Sequence, residues 1–273
     1  MYRADDRQGE RNDLDGTPRG VMRIVEVREG IRAAMCEYTD RSQRTLHSTR
    51  RRSCRIHVLF RAHRNAMLEC FEQSGLGEGA RVLDYGCGEM PYRSILVGLG
   101  CVVTGADFPG NELAAIATGP RGELDPELDR KFDAVLSSQV LEHVSDPGFY
   151  LNEAYRVLKP GGLLLISTHG HYRYHADPTD YWRWTHEGLR LQLSRAGFDV
   201  VRARGVFSLP QASLQMFQDS TRNKIPRCLR RLYVMFFQTA IGAIEKCRKA
   251  EPEQDALLYV VTALRRDTDP VGE

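Results

Sequence analysis

No apolar run in this 273-residue chain approaches the ~20 residues that span a bilayer. The opening stretch, MYRADDRQGERNDLDG, is charged throughout and has no apolar core, so no secretory leader is expected. Cysteine occurs seven times, always alone and never as C-x-x-C, a usage that fits reduced thiols in a cytoplasm rather than a disulfide framework or a zinc site. The net charge of +2 is too small to imply a polyanionic partner. There is no internal repeat and no low-complexity segment. Nothing follows the first glycine turn that would make it a G-K-[ST] phosphate loop. Two short motifs of enzymes that act on nucleic-acid bases, [DNS]-P-P-[FWY] and Pro-Cys, are both missing, so nucleic-acid bases are not expected as substrates.

Charge is unevenly spread: residues 41–64 hold eight arginines and no acid. Such a run fits an anionic partner or a solvated arm leading into a helix, and the second reading suits the small net charge. We take residues 1–50 as an arginine-rich flexible arm, with disorder over 1–20, and residues 51–273 as one folded domain.

Within that domain, buried strands alternate with helices. Ile56, Leu59, Phe60, Met67, Leu68 and Phe71 share a helical face. Short apolar strands are expected at Ala80–Asp84, in CVVTGADF ending at Asp107, at 132–137, in LLLIST, in FDVVRARGV and in ALLYVVTALRR. Asp146 and Pro147 mark a helix start, and KPGG is expected to break that helix before the next strand. The pattern predicts an α/β fold with a doubly wound, mostly parallel sheet, whose ligands bind at the carboxyl ends of the strands.

The glycine turn in VLDYGCGEMPY follows the first strand, and Asp107 ends the next strand 21 residues after Gly86. Position 91 is Pro where G-x-G-x-x-G needs its third glycine, which argues against a dinucleotide. An acid at the end of the second strand suits the two hydroxyls of a ribose. Together VLDYGCG, GADF, FDAVLSSQVLEHV and EAYRVLKPGGLLLIST resemble the class I S-adenosylmethionine-dependent methyltransferases, and most closely the type 11 group that includes the ubiquinone and menaquinone methyltransferases. The likeness covers residues 78–205 and leaves a helical insertion at 206–250. It implies a seven-stranded Rossmann-like sheet with the last strand antiparallel. It also implies S-adenosylmethionine as cofactor, with Asp84, Gly86 and Gly88 at its methionine end, Asp107 on its ribose, and Gln139 and Leu141 bordering the methyl group. Glu123 and Asp125 are candidates for the adenine side.

Gln139-Val-Leu-Glu142-His143 resembles the E-x-x-E-H loop with which small-RNA 2′-O-methyltransferases hold a divalent ion. Gln139 stands where the first carboxylate belongs, and an amide is a poorer ligand for a hard cation. We therefore expect no metal, and a structural role in which Glu142 and His143 bond the loop backbone.

The segment YHADPTDYWRWT, residues 174–185, gathers both tryptophans of the chain with two carboxylates, a histidine and an arginine. A similar H-x-x-P-x-D-Y-x-R-x-T-x-x-G-L recurs in type 11 relatives encoded among surface-polysaccharide genes. The segment is expected to wall the acceptor site: His171, His175 and Asp177 are candidates for taking a proton, and Asp180, Tyr181, Trp182 and Arg183 for binding substrate. Asp180–Arg183 reads equally as a local ion pair. The expected reaction is methyl transfer to a small-molecule, glycan or lipid-linked acceptor, at oxygen. The alternatives are RNA 2′-O-methylation with a divalent metal, and a cofactor-binding module without transfer. The mostly apolar stretch Leu232–Ile244, flanked by basic residues, reads as a lid helix or as an interfacial helix touching anionic lipid. The expected location is the cytoplasm, with the inner membrane face as a peripheral site.

Overall fold

The computed structural model describes residues 56–176, 179–247 and 254–267. The arginine-rich arm and Asp177 lie outside these.

α1 (His57–Gln73) precedes β1 (Arg81–Tyr85), which passes through a glycine turn to α2 (Arg93–Gly98) and β2 (Val102–Asp107). A two-residue β3 (Ile116–Ala117) and a 3-10 turn lead to β4 (Phe132–Ser138), α3 (Pro147–Val157) and β5 (Leu158–His169). After the aromatic segment come α4 (His186–Arg195), β6 (Phe198–Ser208), α5 (Leu209–Thr221), α6 (Arg230–Cys247) and β7 (Ala256–Arg265). The seven strands lie in the order β3-β2-β1-β4-β5-β7-β6. The pairs from β3 to β5 are parallel, and β7 runs antiparallel between β5 and β6, as the resemblance implies.

The central strands β1, β4, β5 and β7 are buried on both faces. Val82, Ala134, Leu136 and Leu165 point into one core with α1, α2, α5 and α6, while Leu83, Val135, Leu164 and Ile166 point into the other with α3 and α4. Strand residues alternate between these faces because successive side chains point oppositely. Each large apolar side chain so buried contributes about 1.5–3 kcal/mol.

Asp146 caps α3, its side chain accepting the Phe149 N–H at 3.0 Å, with Pro147 in the first turn. KPGG does not separate helix from strand as expected. β5 starts at Leu158 and carries Lys159–Gly162 as an irregularity, because Phe132 pairs with Leu158 and Ala134 already pairs with Leu163. The insertion holds two helices rather than one. α5 buries Gln211, Gln215 and Gln218, and Gln238 of α6 donates to Gln215 and Gln218 at 3.0 and 3.1 Å. Gln215, Gln218 and Gln238 satisfy one another, and Gln211 donates to Glu245 at 2.6 Å and accepts from Ser208, which is the condition for burying them.

Candidate active site

At the end of β1 the chain turns through Gly86 and Gly88, both at positive φ (74° and 49°). A side chain at Gly86 would drive into Val140, with Cβ 2.6 Å from a methyl carbon, while one at Gly88 would meet open space. The turn therefore lies against the loop after β4 on one side and leaves its other side clear for a ligand. Asp107 at the end of β2 folds back onto it. Its Oδ2 accepts the Gly88 N–H at 2.9 Å and the Asn111 amide at 2.7 Å, and its Oδ1 accepts the Phe108 N–H at 2.8 Å. Cys87 Sγ also reaches Oδ2 at 4.0 Å, so Oδ1, which accepts only the Phe108 N–H, is the oxygen with capacity left for a hydroxyl.

Asp84 is buried, and its Oδ2 has no hydrogen-bond partner among the described residues. Burial, reinforced by the charge of Asp107, pushes its carboxyl up to about 7. An orphaned acid below an open glycine turn is a seat for a positive group such as an amino-acid ammonium. With Asp107 beside it, the set fits the amino-acid and ribose ends of S-adenosylmethionine. Glu123 accepts from the Arg121 backbone and guanidinium at 2.8 and 2.9 Å, and Asp125 caps the 3-10 turn. Both adenine candidates are thus engaged locally.

Gln139, at φ 60°, donates its backbone N–H to the Ser167 carbonyl at 2.8 Å and its amide to Ser167 Oγ at 3.1 Å. Leu141 is fully buried in the α3/α4 core. Glu142 is closed to solvent: Thr168 donates to its Oε2 at 2.8 Å, and Nδ1 of His169 lies 3.0 Å from its Oε1. Burial opposes its charge, yet His169 and the hydroxyl of Thr168 hold its carboxyl below the usual range. The loop also clamps the aromatic segment through backbone contacts. The Glu142 carbonyl accepts the Tyr181 N–H at 2.8 Å, and His143 Nδ1 donates to the Thr179 carbonyl at 2.6 Å. The side chain of His143 thus bonds the backbone of the aromatic segment rather than that of its own loop, and the Glu142 carboxylate faces His169 and Thr168.

His175 stands with its ring 5.5 Å from that of His143 and 5.7 Å edge-on from that of His169. His171 is placed elsewhere: its Nε2 lies 3.1 Å from Asp255 at the start of β7. Arg183 spends all five N–H donors within reach. Nη1 and Nη2 fork onto Asp180, Nε reaches the Tyr172 carbonyl at 2.8 Å, and further bonds go to the carbonyls of Trp182 and Arg173 at 2.7 and 2.6 Å. Asp180 also accepts the His175 N–H at 2.7 Å. Burial opposes the charge of Asp180, but these bonds keep its carboxyl below the ordinary value. The pair is a strut that shapes the segment. Trp182 bonds the Val144 carbonyl at 2.8 Å and stacks on Trp184, which is buried; Tyr181 is exposed.

Two contributors escaped sequence reading. Asn111 bridges Asp107 and the Gly88 carbonyl. His63 of α1 reaches Ser167 Oγ at 3.0 Å behind the loop, and burial, with His169 adding to it against Glu142, lowers it to about 4. Neither lies in a motif; His63 is 104 residues from its partner.

The family model described as a methyltransferase domain matches residues 50–203, more than half of the chain. The chain belongs to that family, of the class I S-adenosylmethionine-dependent methyltransferases. It is 33% identical over 132 residues to a ubiquinone biosynthesis O-methyltransferase of Caulobacter sp., covering 42% of this chain and 51% of that protein. A Rhizobium rhizogenes protein of the same name is 28% identical over 162 residues, covering 49% and 65%. The chain thus spans about half to two thirds of the length of these curated relatives. Among solved structures, a Burkholderia thailandensis 1,6-didemethyltoxoflavin-N1-methyltransferase superposes with a TM-score of 0.49 at 20% identity, over 92% of this chain and 91% of that one.

Proposed function

We propose that the enzyme methylates an oxygen of a small-molecule, glycan or lipid-linked acceptor. When bound, S-adenosylmethionine supplies an electrophilic methyl group on a sulfonium. Asp84 and the Gly86–Gly88 turn receive its amino-acid end, and Asp107 accepts from a ribose hydroxyl.

An oxygen acceptor must lose its proton as the new bond forms, and one observation supports a base for this. Buried Glu142 faces Nδ1 of His169, and His175 stands edge-on to the same ring. The carboxylate 3.0 Å from Nδ1 holds the His169 ring against the loop after β4. His175 is less buried than His169, so it takes the acceptor proton. The His175 ring rests edge-on against His169, and buried Glu142 beyond supplies compensating negative charge. Asp177, two residues on, is the second candidate for this role. Asp180 and Arg183 hold the wall in shape, and the exposed Tyr181 and Trp182 offer aromatic faces to the acceptor.

The test is to incubate the enzyme with methyl-labelled donor and fractionated cell extract, then identify the labelled product by mass spectrometry, with and without a chelator. A methyl ether formed equally in both supports this reading. Label on RNA, abolished by the chelator, would support the metal-dependent alternative, and no label on any fraction would favour a module without transfer.

A further inference from the structure

α6 packs through Val234, Phe237, Gln238 and Ile241, spaced i, i+3, i+4, i+7. Its other side is also apolar: Leu232 and Phe236 are 64% and 69% exposed, and Leu229, just before the helix, is 51% exposed. α5 adds Phe217, 56% exposed. The exposed rings are neighbours, since Phe217 and Phe236 both contact the buried ring of Phe237, at 5.7 and 5.5 Å. Ordinary surfaces scatter such side chains singly, and a joined cluster marks a contact face.

Charge gives the partner's chemistry. Residues 220–244 contain five basic side chains and no acidic one. Lys224, Arg227 and Arg231 are exposed, while Arg230 is turned inward onto the carbonyls of Ile225 and Asn223. No helix among the described residues is long and apolar enough to cross a membrane. The flanking acids are turned inward, Asp219 being buried and Glu245 accepting from Gln211, so a stripe of Leu and Phe with exposed cations beside it suits insertion to headgroup depth with phosphates at the rim.

We propose that the outer face of α5 and α6 docks on an anionic phospholipid bilayer, with Leu229, Leu232, Phe236 and Phe217 inserted and Lys224, Arg227 and Arg231 on the headgroups. The docked helices adjoin the acceptor wall, since Arg173 Nε lies 3.7 Å from Asp219 on α5. The surface stands independently of which acceptor is methylated.

The experiment is vesicle co-sedimentation of the full chain, with phosphatidylcholine alone or mixed with phosphatidylglycerol. The variants are Leu232→Glu with Phe236→Glu, and Lys224→Glu with Arg227→Glu and Arg231→Glu. All substituted positions are exposed, and circular dichroism with thermal melting verifies the fold. Wild type should bind the anionic vesicles, and raised salt should weaken the binding. The charge-reversed variant should bind about a hundredfold more weakly, and the apolar-to-acid variant should lose binding. The N-terminal arginines are common to all three proteins, so equal binding would assign attachment to the arm and overturn the proposal. A wild type that ignores vesicles but dimerises in ultracentrifugation, with dimerisation lost in Leu232→Glu/Phe236→Glu, would also overturn it and make the face a self-association surface.

Discussion

Nδ1 of His169 lies 3.0 Å from Oε1 of Glu142, inside a pocket of protein where the carboxylate has no solvent contact. A buried anion persists only with compensation, and here that comes from His169 and the Thr168 hydroxyl. The pair ties the end of β5 to the loop after β4, the two places from which the acceptor wall is hung.

Substituting either member should show that they act together. Glu142→Gln and His169→Gln are each expected to slow methyl transfer about 10–100-fold while leaving S-adenosylhomocysteine affinity near normal. The double variant should lose little more than either single one, a coupling of about 0.5–3 kcal/mol in a double-mutant cycle. Additive losses would mean that the two residues contribute separately.

Asp84 should oppose stability and favour the ligand. Its carboxyl is raised from an ordinary 3.8 to about 7, so between these values the folded state holds a proton that the unfolded chain has released. Stability contributed by the protonated form is therefore lost as pH rises toward 7. Asp84→Asn should raise the ligand-free melting temperature at pH 8, by up to about 4 kcal/mol of stability, and weaken donor binding. A cationic group binds the ionised acid, so wild-type affinity should climb with pH up to about 7 and then level. Calorimetry in two buffers of different ionisation enthalpy would report the released proton.

His63 has the opposite sign. Its folded value of about 4 lies below 6.5, so the unfolded chain binds the extra proton between the two. The stability from the neutral ring is complete above 6.5 and is lost as pH falls toward 4, about 3 kcal/mol in all. His63→Gln should flatten this limb in denaturant titrations over that range. An unchanged slope would mean that the ring already titrates normally.

Arg183→Lys should loosen the aromatic segment. An ammonium cannot serve five acceptors held in the plane of a guanidinium. We expect a loss of about 2–3 kcal/mol and faster proteolysis between residues 173 and 183, with donor affinity unchanged. Protection equal to wild type would show that the strut is redundant.

How much of this was legible in the sequence depends on where each signal lies. β1, β4 and the glycine turn were readable because doubly buried strands are continuous apolar runs and a turn at positive φ calls for glycine. Asp146-Pro147 announced α3 because capping is a local interaction. α5 was not readable, because its buried face is Gln211, Gln215 and Gln218 while Phe217 faces outward, which inverts the usual pattern. β3 is two residues long and leaves no periodicity. The bridge from His63 to Ser167 and the carbonyl bonds of Arg183 depend on tertiary approach, which no local pattern records. The segment 174–185 announced ionisable groups among aromatics, yet its Asp180–Arg183 pair proved to be engaged in holding its own backbone.

The central claim is that His175, backed by Glu142 and His169, takes the acceptor's proton. Single-turnover transfer of labelled methyl to the identified acceptor, comparing wild type with His175→Ala, tests it most directly. The account predicts a rate about 10²-fold lower in the variant, with S-adenosylmethionine affinity unchanged in parallel calorimetry. Full transfer by His175→Ala would contradict it.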